Sequence, residues 1–325
     1  MLDSFGRKIH YLRISLTDRC NLRCIYCMPA QATAFHTRAE ILTDEELLQV
    51  IGLFARLDFD RIRLTGGEPT VRPNLVSLIA QLDKLPGIRE IAMTTNAMLL
   101  EKLAGPLARA GLNRVNISMD TLDADQFAQM TRFGKLDAVW QGILAAERAG
   151  LTPIKLNAVV IRGYNENELA ELARLTLNHP WHMRFIEVMP LGSIADFQMN
   201  SLVPVAEMKR RIETELGPLE PLEWSGHTPF RPFRLKEAQG TIGFISSVSD
   251  PFCEGCNRVR LTTDGKVRLC LLRDDEIDLL APLRAGASDA ELTALLQAGI
   301  FAKPMGHGLA ERYYPHDHMM SSIGG

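Results

Sequence analysis

Six short β-type segments alternate with helical patterns along the first two-thirds of the chain, and this alternation limits the possible folds more than any other feature. The sequence predicts strands over 11–17, 61–67, 90–96, 114–120, 154–161 and 183–189, with helical stretches between them. Neighbouring parallel strands need a crossover connection, which is usually a helix. Repeated strand–helix units therefore predict an α/β protein built on a parallel sheet.

Polar residues at the carboxyl ends of these strands favour a barrel over an open sheet. They include Arg63 to Gly67, Thr94 to Asn96, Asn116 to Ser118, and Glu187 to Met189. Barrels assemble their active sites from residues at this edge. We therefore predict a partial (β/α)6 TIM-like barrel.

The alternation ends after about residue 195. The later sequence predicts a strand over 241–248, a hairpin over 258–272 that turns at Asp264-Gly265, and helices over about 276–284 and 288–300. We expect two domains, a core of residues 1–225 and a smaller α+β subdomain of residues 226–325 that closes the barrel mouth.

Charge and hydropathy limit the classes of partner and the compartment. Lysine and arginine number 36 against 39 acidic residues, a net charge of −3, so no general surface for nucleic acid is indicated. No apolar run approaches the roughly 18 residues of a membrane span, and the first residues do not form a secretory signal. We expect a cytoplasmic protein with no nucleic-acid or membrane partner. Cytoplasmic thiols stay reduced, so clustered cysteines point to metal binding or catalysis.

All six cysteines fall into two groups of three. Cys20, Cys24 and Cys27 lie in one short loop, and Cys253, Cys256 and Cys270 lie around the predicted hairpin. A structural zinc site usually has four ligands, whereas three soft ligands suit an iron–sulfur cubane with one iron left open. Two alternatives stay open. His36 would complete a zinc site in the first group, and the second group would hold a structural zinc or cluster that stabilises the C-terminal subdomain.

A series of motifs resembles a known family over essentially the whole chain. In order they are "LRISLTDRCNLRCIYCMP", "RIRLTGGEP", "MTTN", "NISMDTLD", "RFIEVMP", "CEGCNRVRLTTDGKVRLCL" and a terminal Gly-Gly. The cysteine loop and "TGGEP" resemble the radical S-adenosylmethionine (SAM) superfamily. The full set resembles the GTP 3′,8-cyclases that open molybdenum cofactor biosynthesis. The sequence departs from the family pattern at Ala97, where glycine is usual, and in lacking a basic residue before the last methionine.

The resemblance implies an enzyme, a lyase with two 4Fe–4S clusters. The N-terminal cluster would chelate SAM and the C-terminal cluster would bind the guanine of GTP. Reductive cleavage of SAM would give methionine and a 5′-deoxyadenosyl radical that takes the 3′ hydrogen of GTP. Addition of C3′ to C8 would then lead to (8S)-3′,8-cyclo-7,8-dihydroguanosine 5′-triphosphate. The implied partners are GTP, SAM, an external one-electron reductant, the next enzyme of the pathway and, as a possibility, a second copy of the chain.

The resemblance also assigns roles to individual residues. The cluster ligands are the six cysteines, Cys20, Cys24 and Cys27 for the first and Cys253, Cys256 and Cys270 for the second. SAM contacts are assigned to Tyr26, Gly67, Ser118 and Met189. GTP contacts are assigned to Arg13, Arg63, Thr94, Lys155, Arg258, Val259 and Arg260. A catalytic role is assigned to Arg258, Arg260, Gly324 and Gly325.

Chemistry supports part of this assignment independently. Arg13 and Arg63 are predicted on inner strands, where an unpaired charge is costly, so an anionic partner is expected. Without the resemblance, Arg258 and Arg260 would be interpreted as a solvated strand edge, Lys155 as a surface charge and Met189 as core. The Gly-Gly end would be interpreted as frayed.

Two other functions are compatible with the cysteines. One is a radical SAM maturase that modifies peptides, although such proteins generally need more C-terminal cysteines. The other is a non-catalytic zinc or iron–sulfur module for binding or electron transfer.

Overall fold

The structure, a computed structural model, describes residues 1–29, 35–224, 230–311, 313–315 and 320–324. Its strands are β1 (Tyr11–Ser15), β2 (Arg61–Thr65), β3 (Glu90–Thr95), β4 (Arg114–Ser118), β5 (Lys155–Val160), β6 (His182–Glu187), β7 (Glu220–Pro221), β8 (Arg231–Arg234), β9 (Thr241–Ile245), β10 (Arg258–Leu261), β11 (Lys266–Arg268) and β12 (Glu276–Asp278). Its α-helices are α1 (Asp44–Arg56), α2 (Leu75–Leu82), α3 (Leu100–Arg109), α4 (Ala124–Thr131), α5 (Leu136–Arg148), α6 (Leu169–Asn178), α7 (Ala195–Asn200), α8 (Val205–Leu216), α9 (Leu280–Arg284), α10 (Asp289–Phe301) and α11 (Met320–Ile323).

All the strands belong to one sheet, in the order β12-β11-β10-β1-β2-β3-β4-β5-β6-β9-β8-β7. Strands β1 to β6 are neighbours in chain order and pair in parallel. In the described part of the chain the sheet runs from β12 to β7 without closing, which confirms the predicted partial barrel. The C-terminal strands extend both of its edges, because β9 pairs in parallel with β6 and β10 pairs in parallel with β1.

The predicted hairpin is confirmed, and one predicted helix is wrong in part. Strands β10 and β11 are antiparallel, and Gly265 turns the chain between them with φ +75°. The first residues of the stretch 276–284 form β12, which pairs with β11, and α9 begins only at Leu280. Edge pairing satisfies the main-chain groups of this short segment, so tertiary contact overrides local helix preference.

The capping box predicted at the start of α1 is present. The Thr43 side chain accepts from the Glu46 N–H, and the Glu46 carboxylate accepts from the Thr43 N–H. Helix α1 buries Leu47, Val50 and Phe54, among others, in the main core between the helices and the sheet. The helices thus cover the outer face of the barrel, and the inner face is left for the polar residues described below. No helix in the described part of the chain is long and apolar enough to cross a bilayer.

The turn after β3 explains the first departure from the family pattern. Ala97 has φ +59°, in the left-handed region that favours glycine, and is completely buried. It fits because Gly142 of α5 faces it: a Cβ added at Gly142 would lie 3.0 Å from the Ala97 Cβ. The two small residues therefore let α5 pack closely against this turn.

We expect Gly142→Ala to lower the free energy of unfolding by about 1–3 kcal/mol, since the added methyl overpacks a buried contact. Gly52 is the matched control, because it lies within α1 and an added Cβ would meet nothing within 4 Å. Gly52→Ala is expected to stabilise the protein by about 0.5–1 kcal/mol through helix propensity. Urea denaturation of the apoprotein measures both. Equal effects of the two substitutions would contradict this account.

Candidate active site

The first cysteine group occupies the loop that follows β1. Cys20, Cys24 and Cys27 are partly buried and are not joined by disulfides. Burial raises the pKa of Cys20 to about 11 and that of Cys27 to about 12, and burial, followed by the charges of Asp120 and the two neighbouring cysteines, raises the pKa of Cys24. Without a metal these groups are therefore thiols, and they can act as thiolate ligands only when a cationic partner offsets burial and their mutual repulsion.

The arrangement suits a cluster better than a single ion. Among the described residues, no group of three or more histidine, cysteine or acidic side chains is placed to hold one metal ion. In a cubane each cysteine binds a different iron, so the sulfurs stand farther apart than the ligands of one zinc. The main-chain N–H of His36 donates to Asp18 Oδ2 at 2.6 Å and its Nδ1 lies 3.1 Å from the same atom, contacts that are compatible with a metal at Nε2, but His36 forms no metal-holding group with the cysteines among the described residues. A zinc site completed by His36 is therefore not supported.

The second group lies at the opposite end of the β1–β10 pair. Cys256 precedes β10, whose first residue aligns with Tyr11 at the start of β1, whereas Cys20 follows the end of β1. The length of β1, roughly 15 Å at about 3.3 Å per residue, separates the two ends. The inner face of the barrel thus runs from one cysteine group to the other.

Positive charge surrounds this second group. Burial disfavours the Cys256 thiolate, but Arg258 and Lys303 more than offset this effect and lower its pKa to about 7. Arg7 donates to the carbonyl oxygens of Cys253 and Met305 at 2.9 and 2.7 Å. The loop is therefore held in a cationic setting suited to thiolate ligands.

The glycines of "GGEP" let two loops meet. The Gly67 N–H donates to the Thr17 carbonyl at 2.6 Å, and a Cβ at Gly67 would overlap the Arg19 carbonyl. The close approach that glycine allows is thus to the cysteine loop itself. Glu68 is fully buried and accepts from Thr95 Oγ1 at 2.6 Å and from the Asn96 N–H at 2.7 Å, which fixes this loop to the end of β3.

The other proposed SAM contacts lie around the same loop. The Tyr26 hydroxyl donates to Asp120 Oδ2 at 2.7 Å. Burial raises the pKa of Asp120 to about 6, against the lowering effect of this hydrogen bond. Ser118 ends β4 and aligns with Asn157 of β5, whose Oδ1 is buried and has no hydrogen-bond partner among the described residues. Met189 packs against the small cluster formed by Leu191, Leu272 and Ile323.

A cluster of cations lies on the inner face of the barrel, and the space that these side chains face is called the cavity below. Arg13, Arg63 and Lys155 occupy inward positions of β1, β2 and β5, and Arg184 of β6 joins them. Arg13 Nε, Arg63 Nη1 and both Nε and Nη2 of Arg184 are buried without a hydrogen-bond partner in the described part of the chain. Burial and the neighbouring cations lower the pKa of Arg184 to about 9. Arg63 Nε does donate to the Tyr11 hydroxyl at 2.6 Å, but the other buried nitrogens still need acceptors, which indicates an anionic ligand.

Strand β10 carries the remaining proposed GTP contacts on two different faces. Arg258 and Arg260 align with Tyr11 and Arg13 and share the inward face. Val259 aligns with Leu12 and is 1% exposed in the main core, so only its main chain can reach the cavity. Thr94 lies in β3 beside Asn116, partly buried.

The chain's C-terminal segment enters the cavity. Arg260 Nη1 donates to the Gly324 carbonyl, and Gly324 has φ +74°. A Cβ at Gly324 would overlap Thr65 Oγ1, so only glycine fits there. Gly325, to which a catalytic role was assigned, lies outside the described residues.

The sequence interpretation missed three buried groups at this site. They are Arg184, Asp120 and Glu68. Arg184 could have been found, because it lies on a predicted strand of the barrel, as Arg13 and Arg63 do. Asp120 and Glu68 gave no signal, since their partners Tyr26 and Thr95 are distant in sequence.

Known proteins match the chain along its length. Residues 14–176 match the Radical SAM superfamily, and residues 181–309 match Molybdenum Cofactor Synthesis C. The GTP 3′,8-cyclases of Pelotomaculum thermopropionicum and Moorella thermoacetica are each 48% identical over 326 residues, which covers 100% of both chains. Streptococcus suis SuiB bound to S-adenosylmethionine has a TM-score of 0.64 at 13% identity, over 95% of this chain and 77% of that one, and shows a similar fold. The chain therefore belongs to the GTP 3′,8-cyclase family within the radical SAM superfamily.

Proposed function

We propose that this chain binds GTP in the cavity between its two cysteine groups and, with SAM, converts it to (8S)-3′,8-cyclo-7,8-dihydroguanosine 5′-triphosphate. This is the first step of molybdenum cofactor biosynthesis. The observation that carries the proposal is the set of buried guanidinium nitrogens of Arg13, Arg63 and Arg184 that have no hydrogen-bond partner among the described residues. A peptide would not require such a concentration of cations, whereas a triphosphate does.

The proposed cofactor sites follow from the donor sets. Cys20, Cys24 and Cys27 would hold the N-terminal 4Fe–4S cluster, and Cys253, Cys256 and Cys270 would hold the other. Both sets are soft thiolates without a fourth side chain placed to complete a single-ion site among the described residues. When bound, the N-terminal cluster and SAM supply the electron and the deoxyadenosyl radical that the reaction needs.

The chain's own residues orient the two small molecules. Gly67, Tyr26, Ser118 and Met189 are proposed to position SAM. The unpaired Asn157 Oδ1 beside Ser118 offers an acceptor for a hydroxyl group.

The inward cations are proposed to bind the triphosphate, with Lys155 and Thr94 beside them. Arg258 and Arg260 lie on the strand that follows Cys256, so they can reach the nucleotide between the phosphates and the base. Gly324, whose carbonyl accepts from Arg260, and Gly325 are proposed to share the catalytic role with Arg258 and Arg260. Arg63, Arg184 and Arg260 are buried, so these contacts act in a low-dielectric setting.

Several finer points belong to the same proposal. We place the domain boundary near residue 225, with residues 226–325 as the C-terminal subdomain. The enzyme would take its electron from an external reductant and pass its product to the next enzyme of the pathway, and a second copy of the chain is a candidate partner. Six unpaired cysteines suit the reducing cytoplasm.

Anaerobic incubation with SAM, GTP and a reductant tests the function. We expect 5′-deoxyadenosine and a cyclised nucleotide to form together. Formation of 5′-deoxyadenosine without a product derived from GTP would reject GTP as the substrate. About eight irons per chain after reconstitution would support two cubanes, and one or two zinc ions would instead support a binding module.

Lys155 gives this binding a pH dependence. Burial, followed by the charges of Arg114 and Arg184, lowers its pKa to about 7. A bound triphosphate favours the charged amine, so GTP binding at about pH 8 is expected to take up a proton, and uptake by this group vanishes well below pH 7. Calorimetry in buffers of different ionisation enthalpy measures the uptake, and Lys155→Met is expected to remove it.

The lowered pKa of Lys155 also makes the stability of the ligand-free protein depend on pH. An unfolded lysine has a pKa of about 10.4, so between about pH 7 and pH 10 the unfolded chain binds more protons at this site. The contribution of Lys155 to the stability of the ligand-free protein therefore rises with pH across this window. Identical stability profiles for the wild type and Lys155→Met would contradict the lowered pKa.

A further inference from the structure

Arg132, directly after α4, has an unusual main-chain conformation. Its φ of 65° and ψ of −30° put a residue with a long side chain in the left-handed region. Such a conformation costs on the order of 1 kcal/mol or more for a residue other than glycine. A glycine, such as the one two positions later at Gly134, would adopt this conformation without strain, yet the residue here is arginine. The contacts of the Arg132 side chain explain why.

The Arg132 guanidinium joins the two ends of the cysteine turn. Its Nη1 donates to the Arg23 carbonyl at 2.8 Å and to the Met28 carbonyl at 3.2 Å. Arg23 immediately precedes Cys24, and Met28 immediately follows Cys27. One nitrogen therefore holds both sides of the segment that carries two of the three thiols, without touching a thiol itself.

The end of α4 supports the same segment through its main chain. The Arg23 N–H donates to the Thr131 carbonyl at 3.0 Å, and the Ile25 N–H donates to the Met130 carbonyl at 2.9 Å. Carbonyl groups in the last turn of a helix lack partners within the helix. Here the cysteine loop supplies those partners. Helix α4 and Arg132 thus form a template against which residues 23–28 are laid.

We propose that Arg132 is a positioning residue for the N-terminal cluster, which keeps Cys24 and Cys27 at the separation that the cluster requires. The proposal rests on the assignment of these cysteines as cluster ligands but not on GTP as the substrate. The strained conformation is retained because it points the guanidinium at both carbonyls. Groups that orient metal ligands are typically worth about 10- to 100-fold in metal affinity or activity.

Arg132→Gly separates this role from a general role in folding. Glycine accepts the backbone conformation, so the thermal midpoint of the apoprotein is expected to stay the same or rise. In the reconstituted protein, anaerobic loss of iron from the N-terminal cluster to a chelator is expected to be about 10-fold faster or more. Loss from the C-terminal cluster is expected to be unchanged. The change that SAM produces in the electron paramagnetic resonance spectrum identifies the N-terminal cluster.

Glu237→Gly is the matched control. Glu237 is exposed and also has φ 65°, so the substitution reproduces the relief of strain far from the cysteines. Arg132→Asn is a second variant. Asparagine also tolerates the left-handed region but lacks the long guanidinium donor, so this variant is expected to behave like Arg132→Gly. An unchanged rate of iron loss, or equal acceleration at both clusters, would overturn the proposal. A drop in the stability of the apoprotein large enough to explain the faster loss of iron would also overturn the proposal.

The readout is independent of the proposed reaction. If GTP is not the substrate, the difference in iron loss between Arg132→Gly and Glu237→Gly is still expected. If Arg132 has no positioning role, the assignment of GTP as the substrate still stands, because product formation by the wild type tests it separately.

Discussion

Replacing Cys24 with alanine is expected to abolish SAM cleavage completely and to remove about half of the iron, four of about eight atoms per chain. Cys24 is the middle ligand of its loop, and neither of its neighbours can replace its thiolate without remodelling the turn held by Arg132. Without the cluster no low-potential electron reaches SAM. Iron analysis and the yield of 5′-deoxyadenosine under anaerobic conditions measure the two effects.

Cys256→Ala is the matched variant at the other end of the barrel. It is expected to remove the other half of the iron and to stop formation of the cyclised nucleotide, while the N-terminal cluster still cleaves SAM slowly. The two substitutions thus separate radical generation from use of the substrate. Loss of all iron in either variant, or retention of cyclised product in Cys256→Ala, would contradict two independent clusters.

Arg184→Met is expected to weaken GTP binding and to stabilise the ligand-free protein. The guanidinium is buried among other cations with two unpaired nitrogens. Charge-assisted hydrogen bonds to phosphate contribute about 1.5–3 kcal/mol, so kcat/KM for GTP is expected to fall roughly 10- to 150-fold. Removing one of several mutually repelling buried charges is expected to raise the thermal midpoint of the apoprotein. Steady-state kinetics and a melting curve measure the two opposite changes.

Arg174→Met is the control for this prediction. Arg174 is on the surface of α6, with 45% of its side chain exposed and Glu171 at 3.2 Å. Exposed pairs of this kind contribute little, so neither kinetics nor stability is expected to change appreciably. A loss of stability in Arg184→Met with unchanged use of GTP would mean that Arg184 is a structural residue.

Part of the site could be predicted from the strands. The strand–helix pattern placed Arg13 and Arg63 on inner strands, and the resemblance assigned them to GTP. Period-two alternation put Arg258 and Arg260 on a common face, because side chains two apart on a strand point the same way. Arg184 follows the same alternation, but it lies in the mostly apolar segment "MRFIEVM", which was interpreted only as a strand.

Contacts between distant segments could not be predicted from local pattern. Tyr26 and Asp120 are 94 positions apart, and the Arg132 side chain reaches back to Arg23 over 109. Such pairs exist only once the barrel has brought the loops after β1 and β4 together. The strand at 276–278 was missed for a related reason, since its hydrogen bonds are provided by β11 and not by its own sequence.

GTP that carries deuterium at C3′ gives the most direct test of the central claim, that this cavity presents the ribose of GTP to a radical formed at the first cysteine loop. After anaerobic turnover with unlabelled SAM, mass spectrometry of the 5′-deoxyadenosine reads out the transfer. The account predicts that the deuterium appears in 5′-deoxyadenosine in step with cyclised product. Unlabelled 5′-deoxyadenosine, formed while product accumulates, would contradict it.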